Sequence, residues 1–447
     1  MATAQTPSAD SVRSVRSQQG IIFLTLFLDL AGFSLVFPLF PAMLQYYLPE
    51  AGHTGWMAET VQWLKGLGTG SSALSVEVLF GGLLGSLYSV LQFFFAPFWG
   101  RLSDRVGRRK VLLGTVAGTA LSYLLWIFAG QFWLLVLARA LGGVMSGNVS
   151  VGSAAIADVT TVEKRSSGMA LVGIAFGLGF IIGPAMGGIL STVNLLKMYP
   201  GGSAIGLNPF SACALLSFAL AVLNYFWVLA RFPETLPPEK RAQALAASAA
   251  ETGWGRVQAI FRPVSTAIRR ANLVNLFYTV AFSGMEFTLT FLAAERLGYT
   301  PRDMVKMFLF MGFVLLMVQG GMRRQIAKVG ERQAAIFGLA CGVVGFLLLA
   351  FATSLTLFYV GMAIFSVSSG LASICLPALV SLYSDAQSQG RNLGSSRAAQ
   401  ALGRAIGPLL AALIYFYAGP KASYSFGAVA LLLPIWLALA LPPPQRG

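Results

Sequence analysis

Charged residues and histidine are scarce in this sequence. Only 11% of the 447 residues are Asp, Glu, Lys or Arg, whereas a soluble protein normally carries about 25%. So few charges cannot cover a water-exposed surface, and the apolar residues occur in long runs. The single histidine, His53, lies in a polar segment, which excludes a histidine-rich metal site. Lipid is therefore the expected solvent for most of the chain.

Cysteine is nearly as rare, and its positions exclude several kinds of chemistry. Cys213, Cys341 and Cys375 all lie in apolar runs, with no C-x-x-C pair and no plausible disulfide framework. The stretch GLGTG (66–70) lacks the G-K-[ST] that completes a phosphate-binding loop. No nucleophile with a neighbouring base stands out. We therefore predict that the protein is not an enzyme and needs neither a cofactor nor a metal.

Basic residues outnumber acidic ones, with 31 Lys and Arg against 16 Asp and Glu. They form short clusters between apolar runs and fall mostly on one side of the predicted membrane, which places both termini in the cytoplasm. No zinc-ligand spacing or aromatic RNA-binding motif accompanies them, so nucleic acid is not an expected partner. Because the loops are compact and the termini short, we expect a bacterial inner (plasma) membrane. We also expect a monomer.

Twelve apolar runs reach the roughly 20 residues that a helix needs to cross a bilayer. They are the residues 20–48, 77–100, 110–129, 131–155, 167–192, 209–230, 271–293, 304–322, 333–352, 355–380, 393–417 and 420–441. We predict an all-α membrane protein with two six-helix bundles. Its parts are a cytoplasmic tail (1–19), an N-terminal bundle (20–230), a cytoplasmic linker (231–270), a C-terminal bundle (271–441) and a second cytoplasmic tail (442–447).

The loop after the second span, GRLSDRVGRRK, is the most specific short pattern. Gly100 and Gly107 suit tight backbone turns, and Asp104 offers a carboxylate to the helix N-terminus of a neighbouring span. Arg105 and Arg108 hold the loop on the cytoplasmic side. Topology alone, the alternative explanation, needs only the positive charges and leaves the spacing of Gly, Asp and Gly unexplained.

A weaker copy of this loop follows the eighth span. It reads KVGER (328–332), and aligning the two V-G pairs places Ala327 opposite Asp104. Together with the six-plus-six layout, this trace indicates two repeated halves around a central cavity.

Two charged residues lie well inside the first bundle's spans, Asp29 in span 1 and Arg139 in span 4. An ionisable group near mid-span costs roughly 2.5–3.5 kcal/mol even on the lenient insertion scale, so such residues are functional candidates. A change in the separation of Asp29 and Arg139 would couple protonation to conformation. The alternative is a permanent ion pair that only supports packing.

The second bundle has its own charged candidates. Glu286 in span 7 is a candidate second proton site or ligand for a cationic group, or else a structural inter-helix contact. Arg397 and Arg404 are two turns apart on one face of span 11 and would favour an anionic substrate. The alternative is that both arginines serve packing and topology. Glu77 and Glu295, near outer ends, need only interfacial solvation.

Span 5 carries an unusual concentration of small residues in the run GFIIGPAMGG, with glycine at 179, 183, 187 and 188. Gly179, Gly183, Gly187 and Gly188 thin the helix and favour close contact with a neighbour, and Pro184 favours a bend. Such a helix suits alternating access, although plain packing explains the same spacing.

These patterns resemble the major facilitator superfamily. GRLSDRVGRRK is similar to its signature loop between spans 2 and 3. Asp29 within LDLAGFSLVFPLFP, Arg139 with Gly143 and Gly147, and the run GFIIGPAMGG resemble motifs of its proton-coupled drug antiporter branch. Stretches such as RFPETLPPEKR and SSRAAQALGRAIGP resemble tetracycline-transporter-like proteins of animals. The resemblance implies a twelve-helix major facilitator fold in which Asp104 belongs to a cytoplasmic latch between the halves.

The expected function is proton-coupled antiport that exports amphiphilic organic compounds or organic anions, with tetracycline-like drugs among the candidates implied by the resemblance. The expected partners are a small organic solute, protons and the lipid bilayer. One alternative is a facilitator or proton symporter for a small metabolite. Another is a transport-inactive scaffold or sensor, which would tolerate neutral residues at Asp29 and Arg139.

Overall fold

The computed structural model describes residues 9–48, 56–67, 72–160, 165–237, 265–384 and 389–443, and within these ranges the chain is helical with short connections. The helices are α1 (Ala9–Ser34), α2 (Phe40–Tyr47), α3 (Trp56–Leu67), α4 (Ser75–Val106), α5 (Arg108–Ile127), α6 (Phe132–Met145), α7 (Asn148–Asp158), α8 (Arg165–Leu190), α9 (Leu195–Met198), α10 (Ser211–Arg231), α11 (Thr266–Leu297), α12 (Met304–Gly321), α13 (Arg323–Val329), α14 (Glu331–Ala350), α15 (Leu355–Leu382), α16 (Gln389–Ala430) and α17 (Leu432–Leu439). Two 3-10 helices, Phe37–Leu39 and Pro200–Ile205, lie between them.

Eleven segments in the described ranges are long and apolar enough to cross a membrane. The last of them, Asn392–Leu439, has 48 residues, which at about 1.5 Å per residue is more than twice the ~30 Å hydrocarbon core. It contains both of the last two predicted spans, joined at Gly419, whose φ of 79° breaks the helix. The all-α fold is therefore confirmed, with predicted spans 11 and 12 appearing as one bent segment.

The structure corrects the local description of the loop after span 2. α4 continues to Val106 and α5 begins at Arg108, so Gly107 is the only residue between the two helices. Gly100 was expected at a turn, but it lies within α4, where an added β-carbon would be 3.1 Å from the Ser150 hydroxyl. Backbone hydrogen bonds continue through the charged residues because a helix needs no apolar side chains once it is nucleated.

Span 1, predicted over 20–48, corresponds to the membrane-crossing segment Ser17–Tyr47. It contains a 3-10 turn between α1 and α2, and α1 itself begins at Ala9, inside the expected N-terminal tail. Most of the predicted linker, residues 238–264, lies outside the described part of the chain.

The internal repeat is visible in the backbone at Gly107 and Gly330. Gly107 has φ 105° and ψ 149°, and Gly330 has φ 99° and ψ 147°. Each precedes a 20-residue helix, α5 or α14. A positive φ of this size is accessible to glycine and strained for other residues. The V-G pairs aligned in the sequence therefore mark the same turn in both halves.

The chain divides into two compact units. The first contains Met1–Val36, Phe94–Met186 and Val193–Ala250, and the second contains Phe37–Phe93, Gly187–Thr192 and Glu251–Gly447. A core in the first unit joins α1, α5, α7 and α10, and its residues include Leu26, Val116, Val151 and Val228. The predicted division into bundles at the linker stays a prediction, because the unit boundaries fall inside spans 1, 2 and 5.

Candidate functional site

Asp29 lies in the membrane-spanning part of α1 and has an amide as its neighbour. Its carboxylate Oδ1 accepts a hydrogen bond of 2.6 Å from Nδ2 of Asn148, the first residue of α7. Asn148 is buried, and its amide also lies 3.4 Å from the hydroxyl of Thr119 in α5. The carboxylate therefore sits among three helices of the first unit. Asn148 was not identified from the sequence.

A break in span 4 brings Asn148 to this position. α6 ends at Met145 and α7 begins at Asn148. A β-carbon at Gly147 would be 2.5 Å from the β-carbon of Trp99, so only glycine fits against this ring. The indole nitrogen of Trp99 donates to the Val144 carbonyl at 2.6 Å and satisfies one acceptor at the break.

Arg139 is one helix earlier in span 4, on α6. Its guanidinium carbon lies 5.8 Å from the ring centroid of Phe33, one turn beyond Asp29 in α1. Phe33 in turn contacts Phe180 of α8, with ring centroids 6.2 Å apart. Arg139 and Asp29 thus lie along the same stretch of α1, and the pairing of their charges remains a prediction.

The glycines of the antiporter-like run pack against the residues that follow Asp29. A β-carbon at Gly179 would be 2.7 Å from the β-carbon of Leu30, and one at Gly183 would overlap the Ser34 hydroxyl. That hydroxyl donates to the Gly179 carbonyl at 2.8 Å. α8 thus fixes α1 immediately after the carboxylate. Gly187, Gly188 and Pro184 continue along the same helix, where Pro184 is accommodated without ending it.

The second unit repeats this contact between α11 and α16. The Ser283 hydroxyl donates to the Gly403 carbonyl at 3.2 Å, and a β-carbon at Gly407 would overlap Ser283. The matching sequences are GFIIGP (179–184) and GRAIGP (403–408). This shared pattern is a second trace of the internal repeat in the sequence, beside the V-G pairs of the two loops.

The repeat pairs three residues near the first site, Asp29, Phe33 and Phe180, with residues of the second unit. Tyr278 precedes Ser283 by five residues, as Asp29 precedes Ser34, and Phe282 corresponds to Phe33. Arg404 follows the first glycine of its pattern, in the position that Phe180 has in the other. The carboxylate of Asp29 in the first unit thus corresponds to the phenol of Tyr278 in the second. The phenyl ring of Phe180 corresponds to the guanidinium of Arg404.

Glu286, Tyr278 and Arg404 lie near one another in the second unit. Arg404 is close enough to act electrostatically on both Glu286 and Tyr278. The Tyr278 ring stacks on Phe282 with centroids 5.8 Å apart, and Phe282 stacks on Phe365 at 5.4 Å. A half-buried acid, an exposed cation and three stacked rings therefore share one region.

Arg397, the other predicted cation of span 11, lies two turns before Arg404 in α16. Its side chain is exposed in the isolated chain, as is that of Arg404. Arg404 acts electrostatically on Glu286; for Arg397, the part of the chain that the structure describes shows no such acidic neighbour. Contact of either arginine with a substrate stays a prediction.

The loop after span 2 forms a second charged centre, built around Arg108. Its guanidinium pairs with Asp104 at 2.6 Å and with Asp158, the last residue of α7, at 2.9 Å, and its backbone N–H donates to Glu234 at 2.9 Å. The Arg108 side chain is 6% exposed and that of Asp104 is 38% exposed. Arg105 points to the exterior. The sequence identified Asp104 and Arg108, but not Asp158 or Glu234.

Long apolar helices, charges inside the spans and two repeated helix contacts define a multi-span membrane transporter. The chain belongs to the Major Facilitator Superfamily, whose family model matches residues 22–394 and, in a second match, 322–447. It is a transporter and not an enzyme.

Relatives of known sequence cover nearly the whole chain. Human "Major facilitator superfamily domain-containing protein 10" is 35% identical over 95% of this chain and 93% of its own length. The class C tetracycline resistance protein of Escherichia coli is 28% identical over 88% of this chain and 89% of its own length. These similarities confirm the resemblance to the superfamily and to tetracycline-transporter-like proteins of animals.

A solved structure shows the same fold. The crystal structure of the human organic anion transporter MFSD10 (TETRAN) superposes with a TM-score of 0.73 at 32% identity, covering 95% of this chain and 99% of that one. The protein is thus a multi-pass membrane protein. The expected bacterial inner membrane finds no support here, since the relative at 35% identity is human.

Proposed function

We propose that this protein is a proton-coupled antiporter that exports amphiphilic organic compounds, organic anions among them. The observation that carries the proposal is the carboxylate of Asp29, set within span 1 with the amide of Asn148 as its hydrogen-bond partner. A carboxylate inside a span is costly and rarely present without a function. The Asp29 carboxylate lies next to the break between α6 and α7 in span 4. Movement of α7 would therefore change the surroundings of this carboxylate.

The Asn148 amide suits both protonation states of Asp29. Its NH2 group donates to the charged carboxylate, while its Oδ1 atom is buried without a partner in the described part of the chain. An amide oxygen accepts a hydrogen bond from a protonated carboxyl group. A small rotation of the Asp29 or Asn148 side chain would therefore allow a hydrogen bond to the protonated acid as well. A proton could then bind to Asp29 and leave it without breaking the only hydrogen bond between the two side chains.

Residues of the second unit support an anionic, amphiphilic substrate. Arg404 offers a fork of donors that suits carboxylates and other planar anions, and the stack of Tyr278, Phe282 and Phe365 offers aromatic surface. Glu286 is near enough to act electrostatically on Arg404 and would compete with the substrate for it. Similarity to an organic anion transporter and to tetracycline resistance proteins supports the same class of solute.

The experiment is transport by the purified protein in liposomes with an imposed pH gradient. We expect an anionic fluorescent drug to accumulate on the acidic side, where protons are available for exchange, and accumulation to stop when a protonophore collapses the gradient. Equal transport with and without the gradient would show a facilitator instead.

Replacing Arg404 with alanine is expected to weaken binding of an anionic drug by about tenfold or more, and binding of its uncharged ester much less. Arg404→Lys should lie between, because lysine keeps the charge and loses the fork. Calorimetric titration of the purified variants measures both ligands. Arg302→Ala, which removes an exposed arginine before α12, is the control for loss of positive charge. Equal losses for the drug and its ester would refute the anion site.

A further inference from the structure

A polar cluster lies in the second unit at the C-terminal end of α11, which we predict to face outward. The Glu295 carboxylate oxygen Oε2 accepts from the Tyr415 hydroxyl at 2.6 Å and from the Ser72 hydroxyl at 2.8 Å. Tyr415, in α16, is fully buried, and Ser72, just before α4, is 8% exposed. One carboxylate therefore joins three helices that are distant in sequence. Interfacial solvation, which we expected for Glu295, does not describe it.

Arg296, the next residue, binds a different helix, α14. Its guanidinium donates to the carbonyls of Leu349, Ala350 and Ala352 at 2.9–3.0 Å, where α14 ends. A cation there satisfies the orphan carbonyls of a helix C-terminus. Arg296 thus ties α11 to a helix of the same repeat, whereas Glu295 ties α11 to the start of α4.

Apolar packing of the same helices lies next to the cluster. A β-carbon at Gly81 of α4 would be 2.8 Å from the Phe287 ring, and one at Gly82 would overlap Ala412 of α16. Phe287 also contacts Phe40 of α2, with ring centroids 5.6 Å apart. α4, α11 and α16 are therefore in close contact over this stretch.

We propose that Glu295 is the latch of the outer gate: its hydrogen bonds to Ser72 and Tyr415 hold α4 against α11 and α16 when the outer side is closed. The proposal rests on the transport function proposed above, since a transporter must open each side in turn. Hydrogen bonds to a charged acceptor are strong and directional, so they select one closed arrangement. Water replaces them when the helices separate, because the cluster lies at the end of the helices, and this makes the latch reversible.

A second carboxylate lies near the cluster. Glu77, at the start of α4, is close enough to Glu295 for the two negative charges to interact, and Lys65 of α3 acts on Glu77. Ser72 and Tyr415 each donate a hydrogen bond to Glu295 in the closed arrangement. Loss of either donor should therefore shift the equilibrium toward the open gate.

The test measures opening directly, with Val78→Cys as the reporter. Val78 is fully buried in the first turn of α4, and Cys213, Cys341 and Cys375 are replaced by alanine in the background. A membrane-impermeant maleimide is added from the side on which Glu295 lies. We expect Tyr415→Phe to speed labelling about tenfold and Ser72→Ala to speed it in the same direction, since each removes one hydrogen bond to a carboxylate.

Tyr424→Phe is the matched control, because it removes a buried phenol whose partner is Thr288 at 3.3 Å rather than Glu295. The latch would be refuted if Tyr415→Phe and Ser72→Ala were labelled no faster than Tyr424→Phe and the protein that carries only the Val78→Cys reporter. If Tyr415→Phe does not fold, as judged by gel filtration, Ser72→Ala decides. Labelling needs neither substrate nor a proton gradient, so its outcome is independent of whether transport proves to be proton-coupled.

Discussion

Asp29→Asn is expected to abolish transport driven by a proton gradient while leaving exchange of labelled for unlabelled substrate measurable. Asparagine has nearly the size of aspartate and can still hydrogen-bond to Asn148, so α1 and α7 should keep their contact. It cannot bind and release a proton, so solute movement is no longer coupled to the gradient. Liposome assays with and without a pH gradient measure the two activities in one preparation.

Two further variants make this result specific. Asp29→Glu keeps a titratable group and should retain part of the gradient-driven transport. Asn224→Ala removes another buried amide that donates to α1, at the Thr25 carbonyl at 3.0 Å, and should slow both activities alike. Full gradient-driven transport by Asp29→Asn would refute Asp29 as the proton-coupling residue, and Glu286 would be the next candidate.

Arg108→Ala is expected to give the largest loss of stability among single substitutions in the charged loop. It leaves Asp158 and Asp104 without their common cation. Breaking a fully buried ion pair from one side costs about 3–5 kcal/mol, and the cost here should be lower because Asp104 is 38% and Asp158 17% exposed. We expect a large fall in the thermal midpoint of the detergent-purified protein and poor recovery of monodisperse material. Thermal unfolding followed by intrinsic fluorescence measures it.

Arg105→Ala is the matched control, since it removes the same charge from an exposed side chain in the same loop. We expect its midpoint to stay near that of the unsubstituted protein. Asp104→Asn should also fold, because Arg108 keeps Asp158. That variant therefore tests the proposed cytoplasmic latch by cysteine accessibility from each side. A midpoint for Arg108→Ala equal to that of Arg105→Ala would refute the structural role.

The sequence predicted the membrane-spanning segments well because lipid imposes a local rule. A span must be apolar over about 20 residues and must satisfy its own backbone hydrogen bonds. Breaks inside spans were harder to predict. The break before Asn148 depends on Trp99 pressing against Gly147, a contact between helices that no window of the sequence contains.

Hydrophobic runs and short motifs are local properties, so the sequence was enough to predict the all-α membrane fold, the family and the importance of Asp29, Arg404 and Arg108. The partners of these residues depend on how the helices pack. Asn148 meets Asp29 across 119 residues, and Ser72 meets Glu295 across 223. Such pairs arise from how helices pack, and packing depends on shapes that many distant residues create together. The sequence therefore shows where charge enters the membrane, and only the packed helices show what that charge binds.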